Sequence, residues 1–468
     1  MTKTKRFSVV RDPVHGDVYL TQEEIRVLDT REMQRLRGIK QLGSAYLVFP
    51  GAMHTRFDHS IGTLHLAQRM IEAINRSFEQ SPRECLGVSQ EEARVIRMAA
   101  LIHDVTHIPF GHNVEDQAGL LHRHDSDYRF ERMLSVGTEI GRVLREQGLH
   151  RDVSGILTGS TRSSGTPGVP GAQRTPPYWS QINSDTICSD ILDYLQRDAY
   201  FTGLRLVIDP RVLSYFRVDR ESGNLYVDLA KHGLLREDIL SELVRLLEAR
   251  YHFSERVYYH HAKIAAGALI ARAVALLLAA GAVREEDFYD TTDASLLALL
   301  CARAERLGGA SGKQAVALVE RFEQRRLPKR VCVFPRQQNH EAQEVLVERY
   351  FAKDKQKERA AVEGRIEDLV HFASGKRVEI LVTCPERRMQ LKEAQTHVRW
   401  PGVEGIRPLS EFADRVPRLA DLEKSYRDLW KFYVFADADD PRLLSRIAEI
   451  AEGEFKGATN LYRPVVPG

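Results

Sequence analysis

Three histidines and one aspartate fall within ten residues in Leu101-Ile-His-Asp-Val-Thr-His-Ile-Pro-Phe-Gly-His112, behind an apolar, helix-like run. Adjacent His103 and Asp104 can both ligate one metal ion only if the backbone presents them side by side. A helix running on through Thr106 would set His107 four residues past His103 on the same face. The Pro109-Phe110-Gly111 turn can then fold His112 back toward that point. The bland alternative is a set of surface histidines, since the chain has 17.

Two other segments argue for the sharper reading. Upstream stands Phe49-Pro-Gly-Ala-Met-His-Thr-Arg-Phe-Asp-His59-Ser, and downstream Ser184-Asp-Thr-Ile-Cys-Ser-Asp190-Ile-Leu-Asp-Tyr-Leu-Gln-Arg-Asp198. A histidine, then His-Asp, then a distant aspartate resembles the ligand order of the HD-domain phosphohydrolases. That resemblance implies one divalent ion held by His59, His103, Asp104 and Asp190, with open positions for a water and a phosphate oxygen.

A chain of 468 residues with 43% apolar content can build more than one domain. A net charge of +2 is too balanced to argue for nucleic acid or an anionic membrane. The five cysteines are scattered and odd in number, which argues against a disulfide framework and for a reducing cytoplasm. The first residues are basic but lack an apolar signal-like run. Ile264–Val283 is nearly apolar, yet it contains Arg272 and is Ala-rich, so it reads as a buried helix rather than a membrane span.

Residues 1–20 read as extended, with a turn at Asp12-Pro-Val-His-Gly16. Thr21-Gln-Glu-Glu24 and Ser89-Gln-Glu-Glu92 are capping boxes that predict helix starts. Apolar spacing predicts a helix over Asp58–Phe78. Residues 159–177 are rich in Gly, Pro and Ser and predict a loop, either a lid or a surface insertion. Asp190, Tyr194 and Asp198 are four apart and form one helical stripe beside Ile187, Ile191 and Leu195. Arg250 and Tyr258 repeat a helical spacing further on. Helices are expected over 237–321, and past 330 strands at Arg377–Thr383 and Trp430–Ala436, with a helix from Pro441. The fold class is mainly α: a helical HD-domain core over 1–330 and a smaller α+β region over 331–468.

The family narrows on Asp12-Pro-Val-His-Gly, Leu28-Asp-Thr, Gln34-Arg-Leu-Arg-Gly-Ile-Lys-Gln-Leu-Gly43 and Val48–Gly62. These segments resemble the deoxynucleoside triphosphate (dNTP) triphosphohydrolases, both those with a sterile alpha motif, absent here, and the bacterial dGTPase-like proteins. The resemblance covers about residues 5–335. It implies cleavage of a dNTP to deoxynucleoside and inorganic triphosphate, with Mg²⁺ accompanying the nucleotide. His112 would protonate the departing 5′-oxygen, with Glu115 orienting it. His107 and His124 would hold phosphate oxygens. Arg56 and Arg250 suit the triphosphate. Gln41 and Leu42 would contact sugar and base, Tyr194 and Asp198 the deoxyribose, and Tyr258 the 2′-carbon, excluding ribose. The metal is iron, zinc, manganese or nickel by donor type.

The same resemblance implies a homo-oligomer, often a tetramer, activated by GTP or a dNTP. Asp29, Gln34 and Arg37 match one part of such a regulatory site, and Arg325, Leu327 and Lys329 another. Arg11 stands where an asparagine is expected, and basic residues expected near Tyr226 are missing. The rival enzyme is an HD-type phosphatase or phosphodiesterase on another nucleotide. A nucleic-acid-binding protein finds support only in Arg325–Arg330 and Lys353–Arg359, where acids interleave and no aromatic platform accompanies the charge.

Overall fold

The computed structural model describes residues 7–117, 119–159, 175–352, 355–385 and 394–465. The fold is mainly α-helical with smaller sheets. Residues 160–174, most of the expected lid, lie outside the described residues, as do 353–354 of the second basic cluster.

Strands Ser8–Asp12 and Gly16–Leu20 pair antiparallel. Asp12 pins their turn: its Oδ1 accepts from the backbone N–H of Val14 at 2.9 Å and of His15 at 2.8 Å. Both predicted capping boxes form, opening helices Gln22–Leu28 and Gln90–Ile102. A third box, Thr55 with Asp58, starts helix Arg56–Gln80 two residues ahead of the predicted Asp58. Each box satisfies N–H groups that the first helical turn leaves orphaned.

The helix behind His103 ends at Ile102 and does not run through Thr106. The Ala100 carbonyl near its end meets His103 Nδ1 at 2.8 Å. Arg35 donates to the carbonyl oxygens of Val105 at 2.9 Å and His107 at 2.8 Å. The chain then tightens into short turns, Val105 N–H to Ile102 O and His107 N–H to Asp104 O. Phe110 adopts a left-handed φ of 53° in the following turn, which turns the chain back.

Helices Ser189–Thr202, Glu237–Phe253, His261–Ala279, Asp293–Leu307 and Gly309–Glu323 follow. Among the described residues, His261–Ala279 is the one helix long and apolar enough to cross a membrane by length and composition. Here Ile264, Ile270, Val274 and Leu277 are buried with Leu300 and Phe322.

The expected boundary at 330/331 falls inside strand Lys329–Pro335. That strand and Ile380–Thr383 flank the central strand Lys431–Ala436 in an antiparallel sheet. His397–Arg399 pairs in parallel with Leu225–Asp228, in a five-stranded sheet that also includes Cys85–Leu86. Both apolar cores contain residues from either side of 330. The C-terminal segment is therefore built into the helical core.

Candidate metal and nucleotide site

Three helix ends deliver the proposed metal donors: His59 from the first turn of Arg56–Gln80, His103 and Asp104 from the end of Gln90–Ile102, and Asp190 from the first turn of Ser189–Thr202. Donor atoms of His59, His103 and Asp104 lie within 4.8 Å of one another. The two imidazole Nε2 atoms are 3.2 Å apart. Asp190 Oδ1 lies 3.0 Å from His59 Nε2 and 3.7 Å from His103 Nε2. His103 Nδ1 sits 2.8 Å from the Ala100 carbonyl, and His59 Nδ1 2.7 Å from Asp193 Oδ2. Each Nδ1–H thus has an acceptor, which fixes the tautomer and points the Nε2 lone pair inward. Two imidazoles and two carboxylates so arranged fit a divalent transition ion.

The support behind His59 was not legible in the sequence. Asp193 Oδ1 meets His15 Nε2 at 2.6 Å. Arg197 grips the same carboxylate with Nε and Nη2, each at 2.9 Å, and reaches Asp12 Oδ2 at 2.8 Å. Asp193 and Arg197 are wholly buried. Gly62 leaves them room: a Cβ there would fall 1.9 Å from Asp193 Oδ1. The Asp12-Pro-Val-His-Gly turn thus has a task, to carry His15 and Asp12 to the metal site.

Burial alone would raise the pKa of Asp104, but Arg56, His107 and His103 outweigh it and hold the carboxyl well below its ordinary range. Arg56 Nη1 donates to Asp104 Oδ2 at 2.6 Å, and its Nη2 lies 3.4 Å from His112 Nε2. Burial also lowers the pKa of His59, yet Asp190 and Asp193 lift it to about 10. A field that favours a proton on His59 also favours a divalent cation at its Nε2.

His107, His112 and His124 cluster beside Asp104. His107 stacks on His124 at 3.7 Å, and the His112 ring lies 5.3 Å from His107 and 5.2 Å from His124. His107 is buried, with Nε2 3.1 Å from Asp104 Oδ1. Burial, then Arg56 and His124, lower its pKa well below the ordinary value. Asp104 Oδ1 is thus placed to accept an N–H from His107 Nε2, and His107 Nδ1 is buried without a partner. The Glu115 assignment also changes. Glu115 Oε2 meets His124 Nδ1 at 3.0 Å and Oε1 lies 2.9 Å from Arg129, so Glu115 orients His124 and reaches His112 by charge alone. The longer Glu side chain passes His112 by.

A second wall faces the donors. Tyr194 lies 6.5 Å from His59 and 6.3 Å from Tyr258, ring to ring. Tyr258 follows helix Glu237–Phe253 on a single wider turn, Ser254–Tyr258. Its hydroxyl donates to Asp198 Oδ2 at 2.6 Å, while His54 Nε2 takes Asp198 Oδ1 at 2.8 Å. His54, quoted in the sequence without a role, therefore holds the carboxylate expected to read the sugar. Arg250 Nη1 and Gln41 Oε1 are buried polar atoms with no hydrogen-bond partner. Leu42 is packed in the core beside them in sequence.

The expected regulatory residues lie on the surface. Asp29 is exposed, Gln34 Nε2 donates to Leu28 O at 2.9 Å, and Arg37 Nε donates to Gln34 Oε1 at 2.9 Å. Arg37 also lies over Phe57, 3.6 Å from the ring centre. Arg325, Leu327 and Lys329 line a cleft of about 420 Å³ with His261, Arg330 and Tyr462.

Comparison with known proteins agrees with this geometry. Residues 56–198 match the HD domain and residues 234–452 the HD associated region. The chain is an HD-domain protein, built on the scaffold of the metal-dependent phosphohydrolases. The uncharacterized protein YwfO of Bacillus subtilis is 33% identical over 268 residues, 55% of this chain and 53% of that protein. Deoxynucleoside triphosphate triphosphohydrolase SAMHD1 of Homo sapiens is 31% identical over 251 residues, 47% of this chain and 39% of its own. The chain spans about half the length, or less, of these curated relatives. A crystal structure of a hypothetical protein from Aquifex aeolicus shares the fold, with TM-score 0.64 and 24% identity over 95% of this chain and 100% of that one.

Proposed function

We propose that this protein hydrolyses deoxynucleoside triphosphates to deoxynucleoside and inorganic triphosphate. The observation that carries the reading is a compact donor set, His59, His103, Asp104 and Asp190, facing a wall of Tyr194, Asp198 and Tyr258 with an unpaired Arg250. Half of the site suits an ion, and the other half suits a sugar and an anion. When bound, a divalent ion would polarise a phosphoryl oxygen and acidify a water.

The chain's own groups do the rest. Arg250 supplies charge to the triphosphate. Asp198, fixed by His54 and Tyr258, has remaining lone pairs for a sugar hydroxyl. Tyr258 fills the space a 2′-hydroxyl would need. His112, exposed at the rim, protonates the departing 5′-oxygen, and His124, backed by Glu115, holds the phosphate beside it. GTP or a dNTP acts as activator through the two surface groups, in a homo-oligomer.

The test is a product assay. Protein with each dNTP, Mg²⁺ and Mn²⁺, with and without GTP, is resolved by ion-pair chromatography and mass detection. Deoxynucleoside with intact triphosphate is the expected result. Diphosphate or monophosphate products would instead mark an HD phosphatase of another nucleotide. An oligomer size and activity indifferent to GTP and dNTP would remove the activator.

A further inference from the structure

One cation beside the Asp198 pocket has no task in this account. Lys263 is the third residue of helix His261–Ala279. Its ammonium lies 5.6 Å from the centre of the Tyr258 ring, whose hydroxyl holds Asp198. Among the described residues that ammonium makes no hydrogen bond or ion pair, and Lys263 is half-buried. Asp198 attracts the ammonium by charge without forming an ion pair, its two oxygens meeting His54 and Tyr258.

The start of this helix is fixed against the site at two points. Ser44 Oγ donates to the Lys263 carbonyl at 3.2 Å, one turn of chain past Gln41. Gly267 lies so close to the residue after His112 that a Cβ would fall 1.9 Å from Asn113 Nδ2. Lys263 therefore stands where the Gln41–Ser44 segment and the His112–Asn113 segment converge. The other unpaired cation, Arg250, acts by charge on Tyr194 and on the same Tyr258. Burial pushes the Lys263 ammonium down to about 8, Asp198 opposing and Arg56 adding to the push. Two cations beside the Tyr258 ring, neither held in an ion pair, offer charge to an anion that enters the Asp198 pocket.

We propose that Lys263 is a further substrate-binding residue, pairing its ammonium with phosphate oxygens of the bound nucleotide alongside Arg250. The assignment rests on the reading that this site takes a nucleotide triphosphate.

The test separates the anion from the nucleoside. Inorganic tripolyphosphate and 2′-deoxyguanosine are titrated calorimetrically into the wild type, Lys263→Met and Lys263→Arg, with melting temperatures compared as a control on folding. Lys263→Met is expected to weaken tripolyphosphate about tenfold or more and to leave deoxyguanosine within about twofold, while Lys263→Arg restores most of the loss. With a dNTP substrate, KM rises in parallel and kcat holds. Unchanged tripolyphosphate affinity in Lys263→Met overturns the assignment, as does equal loss of deoxyguanosine, or a wild type that does not bind tripolyphosphate. If the wild type releases no triphosphate from any dNTP yet binds tripolyphosphate through Lys263, the proposed reaction fails and the residue keeps its role.

Discussion

The metal end and the nucleotide end of this site are built on opposite plans. At the metal end every inward-facing ring is braced from behind: His103 by the Ala100 carbonyl, His59 by Asp193, and Asp193 in turn by His15 and Arg197. At the nucleotide end buried polar atoms are left over, Arg250 Nη1 and Gln41 Oε1 among them. A buried group without a partner costs about 1–3 kcal/mol, and at the nucleotide end a ligand can supply that partner. The contrast teaches that the chain itself arranges the ion's donors, whereas the substrate completes the opposite wall.

The largest effect should come from the donors. Replacing His103 and Asp104 together by alanine leaves Arg56 without its carboxylate; hydrolysis should fall roughly a thousandfold or more, with metal content lost in step. A double variant that kept its metal would show that the ion binds elsewhere. Next comes the brace. Asp193→Asn retains shape but removes the charge behind His59 and His15, and metal affinity should fall about 10–100-fold by metal titration, with KM little changed. Unaltered metal affinity would reduce Asp193 to a packing residue. Arg250→Met should do the reverse, raising KM for the nucleotide about tenfold while metal content stays constant. If it also released metal, the two ends would not be separate devices.

How far the sequence foretells this depends on whether a signal is local. The capping boxes at Thr21 and Ser89, the His103-Asp104 pair and the four-residue spacing of Asp190, Tyr194 and Asp198 are short-range patterns, and the corresponding helices and stripe are present. Asp193 lies three residues past Asp190, but its role depends on His15 and His59, which tertiary packing alone brings to it. His54 is hidden in the same way, since its partner lies 144 positions on. The His103-Asp104 pair falls at the end of its helix, as the sequence suggests, whereas the turns that follow are held by Arg35 from a distant helix, which no local pattern announces. The resemblance pairs Glu115 with His112, whereas the fold brings His124 to its carboxylate. The 330/331 position falls inside a strand, and a sheet joins strands far apart in sequence across it, a pairing no local pattern announces.

The smallest prediction uses a carboxylate away from the site to calibrate what the metal end does to Asp104. Glu363 is as buried as Asp104 and also faces an arginine, Arg272, at 3.1 Å. It accepts a backbone N–H from Val382 at 2.8 Å. Asp104 has two imidazoles beside its arginine and is held down; for Glu363 burial outweighs Arg272, the Val382 N–H and the charge of Arg359, and the carboxyl is pushed up to about 7. The folded state thus binds a proton that the unfolded chain releases near its ordinary carboxyl pKa. Stability from this group is complete below about 4.5 and is lost as pH rises through about 7, an effect of roughly 1–3 kcal/mol. Denaturant titrations of the wild type and Glu363→Gln across pH 4.5 to 7.5 measure it. The variant should lose that slope. An unchanged slope would mean that arginines alone suffice to keep a buried carboxylate ionised, and the imidazoles around Asp104 would then be needed for the ion and the substrate rather than for the charge of Asp104.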